Sequence, residues 1–93
     1  MTWSPTLFAG QRFAVVGLGR NGLPVARALV AMGASVVAWD DGEAARAAAV
    51  GLDVRVPEMA GLDALVLSPG IPHVLPAPHP LAAAALAAGV PIL

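Results

Sequence analysis

The sequence predicts an α/β domain: a doubly wound, five-stranded parallel sheet with helices on both faces. Three observations predict it. Short apolar runs of strand length alternate along the chain with segments of helical spacing. Glycines fall where the one kind of segment gives way to the other. Charged residues make up only 12% of the chain, against a hydrophobic share of 58%. A soluble domain ordinarily carries about 25% charged residues. So low a share suits a parallel sheet buried on both sides, or a surface that meets another domain. Ninety-three residues fill one domain and not two, so residues 1–93 are read as a single unit.

The elements follow in order. Phe13-Ala14-Val15-Val16 is an uninterrupted apolar run ending in glycine, the pattern of a strand covered on both faces. Leu23, Ala26, Leu29 and Val30 then repeat at helical spacing, and Gly33 marks the stop. Pro24 is compatible with a first helical turn, where its missing N–H would have no partner anyway. Ser35 to Trp39 is apolar and β-branched, a second strand. Glu43 to Val50 is rich in helix formers, with Gly51 as its end signal. Val54 to Val56 reads as a short third strand and Ala64-Leu65-Val66-Leu67 as a fourth. The proline-rich stretch from Ser68 to Pro80 has no periodicity. Leu81 to Ala88 is an alanine-rich helix closed by Gly89, and Pro91-Ile92-Leu93 opens a fifth strand. Right-handed crossovers make 3-2-1-4-5 the simplest strand order. The chain stops inside that last strand, which reads as truncation from a larger protein.

Several classes of function are excluded early. Ala64 to Leu93 carries no charged side chain, yet Pro69, Pro72, Pro76, Pro78, Pro80 and Pro91 break it, so no continuous spanning helix can form there. No secretory signal is visible between Met1 and Gln11, and the cytoplasm is the expected compartment. Five scattered arginines, no lysine and a net charge of −1 give no basic stripe, so neither nucleic acid nor a membrane is an expected partner. Without cysteine there is no disulfide or thiolate chemistry.

In a sheet of this topology, ligands sit beyond the carboxyl ends of the strands, at the switch between strands one and four. Three loops open there. The first is Gly17-Leu18-Gly19-Arg20-Asn21-Gly22, a GxGxxG motif between a strand and a helix, which makes the expected sheet Rossmann-like. Gly17 permits the tight turn, Gly19 lets a diphosphate approach the backbone, and Gly22 lets the helix pack close to the sheet. The helix end adds free N–H groups and a positive dipole. The second loop starts at Asp40, 18 residues after Gly22, where an acid accepts hydrogen bonds from a ribose diol. Its neighbours are Asp41 and Gly42 rather than an arginine, which disfavours a 2′-phosphate. Asp41 also fits an N-cap for the following helix. The third loop, Ser68-Pro69-Gly70-Ile71-Pro72, offers a hydroxyl and a glycine N–H to polar ligand groups, and it lacks the framing of a serine nucleophile.

The remaining polar and aromatic residues read as structural. His73 and His79 have no further ligands at zinc spacing and read as solvated loop residues. Trp3 and Trp39 read as packing residues, and Glu58 and Asp63 as solvated loop charges. No metal site is expected from the Asp40-Asp41 pair, because adjacent carboxylates at a strand end point apart.

Together, the glycine motif, Trp39-Asp40-Asp41 and Ser68-Pro69-Gly70-Ile71-Pro72 resemble the Mur ligases, from about Arg12 to Leu93. The pattern is most similar to the members that add D-glutamate to UDP-N-acetylmuramoyl-L-alanine in peptidoglycan synthesis. The resemblance implies an amino-terminal domain that holds the UDP part of the substrate. Gly19, Arg20, Asn21 and Gly22 would lie near the diphosphate and uridine. Asp40, Asp41 and Gly42 would lie by the uracil, and Ser68, Pro69 and Gly70 near the diphosphate. Asp41 and Gly42 stand where several relatives carry threonine and arginine. The family's ATP, Mg2+ and carbamylated lysine belong to its central domain. This chain has neither lysine nor a phosphate-loop motif, so the resemblance implies no cofactor and no catalytic residue within it. Its partners would be UDP-N-acetylmuramoyl-L-alanine and the central and carboxyl-terminal domains of the same chain. A domain for NAD, regulatory or dehydrogenase, uses the same Gly17, Gly19, Gly22 and Asp40 but leaves Ser68 to Pro72 unexplained. A protein-interaction domain with an apolar face is a third reading.

Overall fold

The computed structural model describes residues 8–68 and 79–93. Four strands, β1 (Arg12–Val16), β2 (Ser35–Trp39), β3 (Asp53–Val54) and β4 (Ala64–Leu67), form a parallel sheet in the order β3-β2-β1-β4. The helices are α1 (Gly22–Ala31), α2 (Glu43–Ala48) and α3 (Pro80–Ala88). Where a fifth strand was expected, the structure shows one isolated parallel bridge, Leu65 to Ile92, with backbone bonds among Leu65, Leu67, Pro91 and Leu93, and the sheet of the described residues has four strands.

The strand at the centre explains the low charge content. Along β1, side chains alternate between two apolar clusters, as the two-residue period of a strand requires. Phe13 and Val15 join Ala26, Leu29 and Met32 from α1 and its end, with Val36, Ala38 and Ala49. Ala14 and Val16 face the other way, toward Leu65, Ala85 of α3 and Val90. Both sides of β1 are therefore buried under helix, and an uninterrupted apolar run is what such a strand needs. In α1, Gly22, Ala26 and Leu29 form the buried stripe at helical spacing.

Boundaries shift by a few residues where the expectation leaned on composition. The second helix stops at Ala48 rather than Val50, and Gly51 follows at φ +86. The third strand is Asp53–Val54 rather than Val54 to Val56. The third helix ends, as expected, on a left-handed Gly89. Its start is Pro80, whose lost N–H costs nothing at a helix N-terminus. No helix among the described residues is long and apolar enough to cross a membrane.

Candidate functional site

The glycine turn sits between the ends of two strands. The Gly17 N–H donates to the Trp39 carbonyl (2.8 Å) and the Ser68 N–H to the Val16 carbonyl (3.0 Å), carrying the ladder one step past each strand end. The turn after β1 is thus flanked by the loop after β2 and by the start of the loop after β4. Of the third expected loop, Ser68 is half-buried beside this turn, whereas Pro69, Gly70, Ile71, Pro72 and His73 lie outside the described residues.

Two glycines have distinct structural reasons. Gly17 adopts φ +93, a left-handed conformation in which a side chain is strained. Gly22 is in ordinary helix, but a Cβ there would run into the Gly17 carbonyl oxygen. The close approach of α1 to the turn therefore depends on a missing side chain. Gly19 faces open space, with nothing within 4 Å of where its Cβ would be.

Free backbone donors lie along the same turn. Asn21 occupies the N-cap of α1 without a side-chain cap bond. Among the described residues, the N–H groups of Gly19, Arg20, Asn21 and Gly22 meet no acceptor, while Leu23 N–H turns back to the Gly19 carbonyl (3.3 Å). Unpaired donors at the start of a ten-residue helix, aligned with the helix dipole, favour an anion. Arg20 is exposed on the same turn.

The acid after β2 is occupied differently from the sequence expectation. Both oxygens of Asp40 are engaged by the protein's own backbone: Oδ2 accepts the Leu18 N–H and Oδ1 the Gly42 N–H, each at 2.7 Å. Asp40 is in the first instance a clamp between the two loops, with remaining lone pairs for a hydroxyl. Asp41 is not a helix cap. Gly42 holds the N-cap position of α2, and Asp40 satisfies its N–H. Asp41 turns away, its Oδ1 accepting the Trp39 indole N–H (3.1 Å) and its Oδ2 lying 2.7 Å from His79 Nε2. These contacts, largest first His79 and then Trp39, hold the Asp41 carboxyl below the usual aspartate range, with smaller help from the Arg46 charge. No group of three or more metal-ligating side chains occurs among the described residues.

Three other side chains depart from the sequence reading. His79 is no solvated loop histidine: its side chain is 10% exposed, and Nδ1 accepts the Leu81 N–H (3.1 Å) at the start of α3. A histidine directly before a proline at a helix start was the available signal, because the N-cap there needs an acceptor. Arg46, one of the five scattered arginines, donates to the Asp40 carbonyl (2.7 Å) and lays its guanidinium 4.8 Å from the Trp39 ring centre. Its position four residues after Gly42, one helical turn into α2, is what brings it back to the loop. Asp63, though exposed, accepts the Arg12 N–H (2.8 Å).

A cavity of about 410 Å3 lies elsewhere, against Arg12, Ser35, Asp53 and Arg55 at the amino ends of the strands. It is at the opposite edge from the glycine turn. Concave shape and unpaired backbone donors thus mark different edges of the sheet, and the donors have the specific chemistry.

UDP-N-acetylmuramoylalanine–D-glutamate ligase of Paramagnetospirillum magneticum is 53% identical over 95 residues, covering 97% of this chain. The ligases of that name from Ruegeria pomeroyi and Jannaschia sp. are 50% and 53% identical, each over 91% of it. The chain belongs to this ligase family and matches its amino-terminal region. It spans about a fifth of the length of these curated ligases. No protein-family model matches the chain.

Proposed function

We propose that this chain is the UDP-holding amino-terminal domain of an ATP-dependent ligase. The full-length protein would join D-glutamate to UDP-N-acetylmuramoyl-L-alanine in the cytoplasm, a step of peptidoglycan synthesis and so of cell-wall growth, shape and division. The fold is then a Rossmann-like one, with the segment Pro91–Leu93 continuing as its fifth strand. The observation that carries the reading is the group of N–H donors from Gly19 to Gly22 that meet no acceptor among the described residues, beside a loop clamped to it by Asp40. Sequence identity near 50% over nearly the whole chain supports the choice of a UDP-linked substrate over NAD.

In this reading the diphosphate rests on the Gly19–Gly22 amides, with Arg20 adding charge and the open face of Gly19 admitting the phosphate oxygens. Ser68 borders the diphosphate from the β4 side. The nucleoside extends toward β2, where Asp40, Asp41 and Gly42 receive its ribose and uracil. The chain's own contribution is binding and orientation. ATP and Mg2+ would be held by the remaining domains, because this chain supplies no phosphate-loop lysine. Carboxylate activation and attack by the amine of D-glutamate would therefore occur outside it.

Isothermal titration of the full-length protein tests the reading. UDP-N-acetylmuramoyl-L-alanine should bind saturably, NADH should not compete, and Asp40→Ala should weaken binding by about tenfold or more, the loss of a charge-assisted contact. Saturable NADH binding with no response to uridine nucleotides would overturn it.

A further inference from the structure

We propose that His79 is a positioning residue for the base end of the nucleotide site, holding the Asp41–Gly42 turn against the start of α3. The inference deepens the nucleotide reading and rests on it.

The geometry fixes the chemistry of the link. His79 Nδ1 accepts the Leu81 N–H, so it carries a lone pair and no proton. The ring proton is then on Nε2, which donates to Asp41 Oδ2 at 2.7 Å. The other Asp41 oxygen is taken by the Trp39 indole, so the carboxylate is fixed at both ends. On the neighbouring residue, the Gly42 N–H is fixed by Asp40. One short turn is thus gripped from its inner side by Asp40 and from its outer side by His79.

The place of this link in the fold gives it a role. In the sheet order, β1 lies between β2 and β4. α3 packs against β4, and His79 at its start reaches the loop that follows β2. The contact therefore joins elements on either side of the glycine turn, across the edge where the nucleotide would lie. Gly42 has no side chain and both Asp41 oxygens are already engaged, so the turn offers a base no long side chain of its own. What it can offer is a backbone held in one place, and His79 is the group that holds it from outside. Ordering such a turn only on binding would cost affinity.

Two substitutions separate the link from the cap. The amide introduced by His79→Asn matches Nδ1 and keeps an acceptor for the Leu81 N–H, but cannot reach Asp41. The longer amide introduced by His79→Gln reaches to the Nε2 position and can donate to Asp41. Both are made in the full-length protein, with uridine diphosphate as the titrated probe. We expect His79→Asn to keep the melting temperature and kcat while raising the UDP Kd, and the KM of the UDP-linked substrate, by about tenfold, the worth of one charge-assisted bond. His79→Gln should recover most of that loss. The indole N–H resonance of Trp39, assigned with Trp39→Phe, should move in His79→Asn without any ligand. Wild-type affinity in His79→Asn, or an affinity lost in both variants in step with melting temperature, overturns the inference and leaves the nucleotide reading intact. A wild type that binds no UDP overturns the nucleotide reading, and an unmoved Trp39 resonance then overturns the positioning of the turn as well.

Discussion

Asp40 accepts the Leu18 N–H at 2.7 Å, and this bond ties the loop after β2 to the glycine turn after β1. Leu18 is buried, so without Asp40 its donor would be left without water or partner. Gly42, the other residue bound to Asp40, is exposed and can turn to solvent. The two bonds of one carboxylate are therefore unequal, and the Leu18 bond carries most of the stability. Asp40→Ala should cost about 2 kcal/mol, chiefly the penalty of a buried unsatisfied N–H. Asp40→Asn, which keeps one carbonyl oxygen, should cost about half as much. Calorimetric melting of the full-length protein measures both. Equal losses in the two variants would show that neither oxygen has the leading part assigned to it.

The glycines of the turn predict opposite outcomes for one added methyl group. In Gly22→Ala the new carbon meets the Gly17 carbonyl, part of the backbone, which cannot swing aside as a side chain would. α1 would have to lift from the sheet, at a cost of about 3 kcal/mol or more, the upper range for overpacking. In Gly19→Ala the carbon enters open space at a residue without positive φ, so stability should stay within about 1 kcal/mol of wild type. The same carbon would occupy the approach to the free amides, and UDP affinity should fall sharply. Circular dichroism melting with UDP titration of each variant reads the split. A Gly19→Ala protein that binds UDP as wild type does would place the diphosphate elsewhere.

Local signals carried the fold where one residue type has one physical meaning. The run Phe13 to Val16 could be covered on both faces only in a central strand, and it is. Gly22 had to approach a neighbour closely, and that neighbour is Gly17. The site was less legible, because its decisive bonds join residues far apart in sequence. Asp40 at a strand end fits a ribose contact equally well as a clamp, and only the placement of Leu18, 22 residues earlier, makes the clamp visible. His79 and Asp41 are 38 residues apart, and nothing local to either marks the pair. Arg46 was hidden for a different reason: on a short helix rich in alanine, one arginine reads as a solvated charge, while its actual partners are a ring and a carbonyl in the preceding loop.

The Asp41 link carries its own pH signature. Its carboxyl is held below the ordinary aspartate range, first by the His79 bond and second by the Trp39 indole. A group whose folded value is depressed adds stability that is present above the unfolded value and lost as the pH falls through the folded one. The window for Asp41 therefore lies below about pH 4, where an ordinary aspartate titrates. At neutral pH the link is fully formed. With a side chain 68% exposed, Asp41 is well screened by solvent, so the effect on global stability should be small and the local signal the one to follow. The Trp39 indole N–H resonance provides it, since its acceptor is the titrating carboxylate. Its midpoint should lie below that of an unpaired aspartate and should rise in His79→Ala, which removes the largest contribution. Trp39→Phe, followed through the Asp41 side-chain carbon resonance, should raise it by a smaller amount. If His79→Ala leaves the midpoint where it was, the carboxylate does not depend on the histidine, and the loop after β2 is not tied to the start of α3 through this pair.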